Sequence, residues 1–171
     1  MKRAENGSRY RNDQAKNLVS FLVGAVRYAV EIQLVREIVN PLPMVPLPHA
    51  PPEVIGVADH RGNVLPIVDL RVRFGLGEGT ITRRTKWIIV RVPETDQVVA
   101  LVVDAVTAVF GASSAQKREV PELGRGRDQR GISTVYSHDG TLVFVVDPNV
   151  VTSAAQQIDP VSIPPLLGRS S

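Results

Sequence analysis

The sequence predicts a mainly β protein with a few short helices, and three observations lead there. Apolar runs of strand length recur along the chain, about ten of them. Turn residues separate them at hairpin spacing: Gly24, His60-Arg61-Gly62-Asn63, Pro93-Glu94-Thr95-Asp96 and Ser137-His138-Asp139-Gly140. Helical spacing of apolar residues is confined to a few short stretches. Such a pattern suits barrels or a sandwich. A length of 171 residues suits one domain or two small intertwined lobes.

In chain order, residues 1–16 are polar, rich in Arg and Lys and without periodicity, so they are expected to be a flexible tail. Leu18 to Gly24 and Arg27 to Glu31 read as a first hairpin. Ile32, Val35, Ile38 and Val39 recur at helical spacing and predict a short helix, stopped by Pro41. Prolines at 41, 43, 46, 48, 51 and 52 leave room only for an edge strand, placed at Met44 to Leu47, and for a helical turn opened by Pro51-Pro52. Val54 to Asp59 and Val64 to Val68 form the next hairpin, with Arg61 at or near its tip and the Gly62-Asn63 pair suited to positive dihedrals. Asp69 is placed to cap a short helix that ends before Gly75.

Trp87 to Val92 and Val98 to Val103 repeat the hairpin pattern, and Ala105 to Phe110 is a further strand. Residues 111–129 read as a loop. Gly131 to Tyr136 and Thr141 to Val146 flank an Asp-Gly turn, and Pro148 opens a last helical piece. Beyond about Val151 the pattern ends, so residues 151–171 are expected to be a loose tail around a folded region of 17–150.

Composition excludes several classes of function. Hydrophobic residues make up 43% and charged residues 22%, as in ordinary folded proteins. A formal charge of +3, from 20 basic and 17 acidic residues, is too small for a nucleic-acid footprint, and the Arg-rich pieces at 83–86 and 125–130 lack interleaved aromatics. The absence of cysteine excludes disulfides and thiolate chemistry. Neither a membrane-spanning run nor a signal-peptide core is present, so a cytoplasmic location without membrane insertion is expected.

No coherent catalytic cluster emerges. Asp59 and His60 are strand neighbours on opposite faces, which argues against a metal site built from His49, Asp59, His60 and Asp69. Ser133, His138 and Asp139 lie at a solvated hairpin turn rather than in a held triad, and Asp69 and Asp104 read as cap or turn residues. No phosphate-binding glycine loop occurs. Strand edges and hairpin tips instead suit protein recognition, so no catalytic residue, metal or cofactor is expected.

Four blocks then stand out together: FLVGAVRYAVEIQLVREIV, PHAPPEVIGVADHRGNVLPIVDLRVRFGL, VVALVVDAVTAV and GISTVYSHDGTLVFVVD. In this order they resemble the CheW family of chemotaxis adaptors over roughly residues 18–150, most specifically in the hairpin followed by LPIVDLR. The resemblance implies two intertwined five-stranded SH3-like barrels and a non-enzymatic role. It implies as partners the regulatory domain of a CheA-type histidine kinase and the cytoplasmic tip of chemoreceptors. Carried over by position, Val35, Glu37, Gly56 and Arg61 would face the receptor. Met44, Val45, Asn63 and Val64 would lie near the kinase, and Glu122 with Leu123 would fall where the family has an acidic-aromatic pair used in ring-like contacts. Here Leu123 replaces the aromatic, and Asp59-His60 replaces the family's usual Asn-Leu before Arg-Gly. That second change sets an acid and a titratable ring beside Arg61 and suggests either tuned partner choice or docking that weakens at low pH. The alternatives are a stand-alone kinase-binding domain of the same fold without receptor coupling, and a β-barrel enzyme acting on a small ligand.

Overall fold

The computed structural model describes residues 16–119 and 131–157. Among them, eleven strands run in chain order: β1 (Asn17–Val23), β2 (Val26–Glu31), β3 (Val35–Val39), β4 (Val54–His60), β5 (Asn63–Asp69), β6 (Lys86–Arg91), β7 (Val98–Val103), β8 (Ala105–Gly111), β9 (Gln116–Arg118), β10 (Ile132–His138) and β11 (Thr141–Val146). Two one-turn helices follow strands directly, α1 (Leu70–Arg73) after β5 and α2 (Pro148–Val151) after β11. One sheet has the order β8-β1-β2-β11-β10-β9 and the other β3-β6-β7-β5-β4.

The chain builds these sheets from two tandem halves that exchange hairpins. The first half supplies hairpin β1-β2, then β3, then β4-β5-α1; the second supplies hairpin β6-β7, then β8, then β10-β11-α2. Each hairpin joins the sheet of the other half, through parallel pairs β2·β11 and β5·β7. The two tips correspond closely. Arg61-Gly62 and Asp139-Gly140 both take positive φ, each preceded by a histidine, and Asp69 and Asp147 each cap the following helix through a side-chain oxygen. The exchange interlocks the two small barrels expected above.

Three apolar clusters hold the fold. The largest lies between the sheets and takes Val19, Phe21 and Val30 from one, Ile88, Val90 and Leu101 from the other, and Leu70 and Val151 from the two helices. Trp87, Ile89, Leu65 and Ile67 fill the interior of the second sheet, and Leu18, Phe110 and Val145 that of the first. Because side chains alternate along a strand, Ile88 and Val90 point to the shared core while Trp87 and Ile89 point into the barrel. Strands buried on both faces have no polar alternation to show, which is why β6 and β7 read as unbroken apolar runs.

Several expectations are corrected. The helix expected over Ile32 to Val39 is a 3₁₀ turn, Ile32–Leu34, followed by β3, so Val35 and Glu37 lie on a strand. Its ladder with β6 slips between Val35 and Glu37. A bulge inserts one residue, and the apolar spacing of three that results imitates a helix. The edge strand at Met44 to Leu47 shrinks to one bridge, Val45 to Val57, with hydrogen bonds of 2.8 and 2.9 Å. Pro43 and Pro46 lack the N–H groups to extend it. At the hairpin tip, Arg61 (φ 53°) and Gly62 (φ 80°) are the left-handed pair, while Asn63 already belongs to β5.

The stretch read as a loop after Phe110 contains the short edge strand β9, the sixth strand of its sheet. The chain also stays packed past Val151: Val151, Thr152 and Ala155 are buried. The expected tail therefore does not begin at 151. The N-terminal tail up to residue 15, residues 158–171, and Glu122 with Leu123 lie outside the described residues.

Candidate functional site

The sharpest side-chain constellation sits at one mouth of the second barrel. β3 carries Glu37 on the sheet edge, and the β4-β5 tip carries His60 and Arg61. Glu37 accepts from both: its Oε1 from Arg61 Nη2 at 2.9 Å, and its Oε2 from His60 Nε2 at 2.9 Å. An ionised carboxylate only accepts, so the His60 tautomer here has its proton on Nε2. The His60 hydrogen bond first, and the Arg61 guanidinium after it, hold the Glu37 carboxyl below the usual glutamate value. The side chains are 19% exposed for His60, 33% for Glu37 and 73% for Arg61. Arg61 thus keeps most of its surface in water while its head is oriented by Glu37.

The tip itself is fixed locally. Asp59 Oδ1 accepts from the Gly62 backbone N–H at 3.1 Å and closes the turn. Beside the three polar side chains lies a groove of about 220 Å³ whose apolar walls include Val64, Leu65, Ile89 and Val98. Val64 is 40% exposed there. Apolar walls beside a rim of Arg36, Arg61 and a half-neutralised Glu37 suit docking of a polypeptide rather than bond-breaking chemistry.

Of the residues singled out from the sequence, the fold brings Glu37, Arg61, Asn63 and Val64 to this one groove. Residues assigned to two different partners therefore share a surface. Val35 is half-buried and packs against the core between the sheets. Gly56 is buried, and a Cβ there would stand 2.6 Å from the Val45 carbonyl oxygen, so Gly56 is the place where the 41–53 linker crosses β4. Val45 sits in that crossing, and Met44 lines a different cavity at the barrel's other end.

The other candidate chemistry is dispersed. Ser133 Oγ donates to the Val145 carbonyl at 3.3 Å, and the His138 ring stacks on Phe110 with centroids 4.2 Å apart. Asp104, read as a turn residue, accepts from Gly24 N–H at 2.6 Å and from Arg71 Nη1 at 2.9 Å, tying hairpin β1-β2 to α1. Among the described residues, no group of three His, Asp or Glu side chains is placed to hold a metal ion, and no helix is long and apolar enough to cross a membrane. Sequence reasoning missed the Glu37–His60 contact because 23 positions separate the two residues and β3 had been read as a helix. The one available signal was His60 standing where the family carries an apolar residue.

Comparison with known proteins agrees with this architecture. A family model described as CheW-like domain matches residues 17–156. The chemotaxis protein CheW of Rhizobium meliloti is 32% identical over 142 residues, which cover 83% of this chain and 90% of that protein. CheW of Helicobacter pylori is 32% identical over 122 residues, 71% of this chain and 73% of that protein. The crystal structure of the scaffolding protein TtCheW from Thermoanaerobacter tengcongensis superposes with a TM-score of 0.67 at 25% identity, covering 77% of this chain and 88% of that one. The two interlocked SH3-like barrels and these matches lead to one conclusion: the chain belongs to the CheW-like family, whose members are non-enzymatic coupling proteins of chemotaxis signalling.

Proposed function

We propose that this protein links the cytoplasmic tip of a chemoreceptor to the regulatory domain of a CheA-type histidine kinase, in the cytoplasm within a membrane-bound or soluble chemoreceptor array. The observation that carries the reading is the Glu37 carboxylate shared between His60 and Arg61 at the rim of an apolar groove. A guanidinium held in place by an internal acid loses little freedom when it forks onto a partner's carboxylate, so its binding energy is not spent on ordering. Val64 and Val98 supply desolvated area next to it. In this reading Glu37 and Arg61 contact the receptor, and Val35 and Gly56 act indirectly, by setting β3 and the linker crossing. The kinase is met by Met44, Val45, Asn63 and Val64, and by Glu122 with Leu123 in ring-like contacts. The overlap at Asn63 and Val64 makes the two partners neighbours on one barrel.

The test is binding of purified protein to a receptor-tip fragment and, separately, to the kinase regulatory domain. Arg61→Ala is expected to weaken the receptor fragment by about 1–2 kcal/mol, roughly 5- to 30-fold, and to leave kinase binding within a factor of about 2. Unchanged receptor binding by both Arg61→Ala and Glu37→Ala would sink the site assignment. Failure to bind either partner would sink the coupling reading itself.

A further inference from the structure

The second barrel has a second mouth, and its chemistry is opposite in sign. The apolar interior that ends at Ile89 and Leu65 on the Arg61 side ends at Trp87, Ile55 and Leu42 on the other, where a cavity of about 330 Å³ opens. Three carboxylates, Asp69, Glu78 and Asp104, line it against one guanidinium, Arg71. At the first mouth the balance is reversed, two arginines against one glutamate.

Arg71 does not neutralise this mouth. Its Nη1 is committed to Asp104, and its buried Nε has no hydrogen-bond partner and lies beneath the backbone of Gly79, where a Cβ would stand 2.6 Å from it. Asp69 is only 8% exposed. Its burial, and the like charge of Asp104 behind it, outweigh the Arg71 backbone N–H that it caps and the Arg71 charge, so its carboxyl sits above the usual aspartate value. A buried carboxylate of this kind is under-compensated, and a cation placed beside it restores what water no longer supplies. The walls add a requirement of their own. Leu42, Met44, Ile55, Ile81, Trp87 and Val102 present apolar surface to whatever occupies the volume. A hydrated metal ion gains nothing from such walls, whereas an amidinium, guanidinium or ammonium on an apolar body matches both halves of the lining.

We propose that this mouth is a binding site for an organic cation with an apolar body, held by Asp69 and Glu78 and packed against Trp87. The site is separate from the Arg61 groove and does not depend on the receptor docking assigned to that groove, and it shares only Met44 with the proposed kinase contact. Its volume lies at the small end of ligand pockets, which run from about 300 to 1,000 Å³, and fits a single aromatic amidine or one long basic side chain.

Trp87 is the chain's one tryptophan and lines this cavity, so the intrinsic tryptophan signal responds to what fills it. The full-length protein is titrated with benzamidine, with its neutral isostere benzamide, and with the capped tripeptide acetyl-Gly-Arg-Gly-amide. Benzamidine is expected to saturate the Trp87 signal with an affinity about tenfold above that of benzamide, the scale of one desolvated charge contact. Benzamidine binding should also weaken as the pH is lowered and Asp69 is protonated. Asp69→Asn retains a good helix-capping oxygen while removing the charge, and Glu78→Gln alters only an exposed rim residue. Each should bring benzamidine toward the benzamide value. The tripeptide arm names the source: binding comparable to benzamidine points to a partner's arginine side chain, and markedly weaker binding to a free small molecule. Equal affinity for benzamidine and benzamide, no saturable signal with benzamidine, or an unchanged benzamidine affinity in both variants overturns the proposal.

Discussion

Glu37 shows how one side chain can serve stability and orient a neighbouring arginine at once. It is held below its usual value chiefly by the hydrogen bond from His60 and then by Arg61. A carboxylate lowered in the folded state adds stability above its unfolded value, and that contribution is lost as pH falls through the lowered folded value. Replacing His60 removes the larger cause. In His60→Leu the Glu37 carboxyl should therefore titrate at higher pH than in the parent, read by carbon-13 NMR of its side-chain carboxyl, with Arg61 still attached. The same midpoint in both proteins would show that His60 does not hold Glu37.

At the scale of elements, close approach decides what the sequence only hints at. β4 lies under the proline-rich linker, and the crossing point is Gly56 beneath the Val45 carbonyl. A methyl group there meets backbone, which cannot rotate away as a side chain can. Gly56→Ala is expected to destabilise the protein by about 1–3 kcal/mol, the cost of overpacking a dense site, and to loosen the Val45–Val57 bridge. Chemical denaturation with hydrogen exchange at Val45 and Val57 measures both effects. An unchanged midpoint with full protection at both amides would mean that the linker yields freely. β3 teaches the complementary lesson. A short apolar pattern of spacing three and four is shared by a helix and a bulged strand, and only the ladder to β6 selects the strand.

For the whole molecule, the exchange of hairpins makes the two barrels one folding unit. β1 and β2 cannot leave their sheet without also exposing Phe21, Val19 and Val30, which close the core against Ile88 and Leu101 of the other sheet. Phe21→Ala is expected to cost about 3–5 kcal/mol. The loss should appear as one cooperative transition, with fluorescence of Trp87 in the second barrel and circular dichroism of the sheets changing together. Separate transitions for the two probes would show that the barrels unfold independently. The same interlock keeps the two mouths of the second barrel at opposite ends of one rigid body, a basic groove at Arg61 and an acidic one at Asp69.

What the sequence by itself determined is local. The hairpin turns at 60–63 and at Asp139-Gly140, the Asp69 cap and the apolar strands β6 and β7 were legible because turn geometry, helix capping and side-chain alternation act over a few residues. Family resemblance added the pair of barrels. The tertiary structure alone decided that Val35–Val39 is a strand and that Val151 to Ala155 belongs to the core. It alone brought Glu37 to His60 and Arg61, and Asp69 to Asp104. These facts depend on contacts between residues far apart in the chain. Their energies are comparable to local propensities and outweigh them once the ladder and the core have formed.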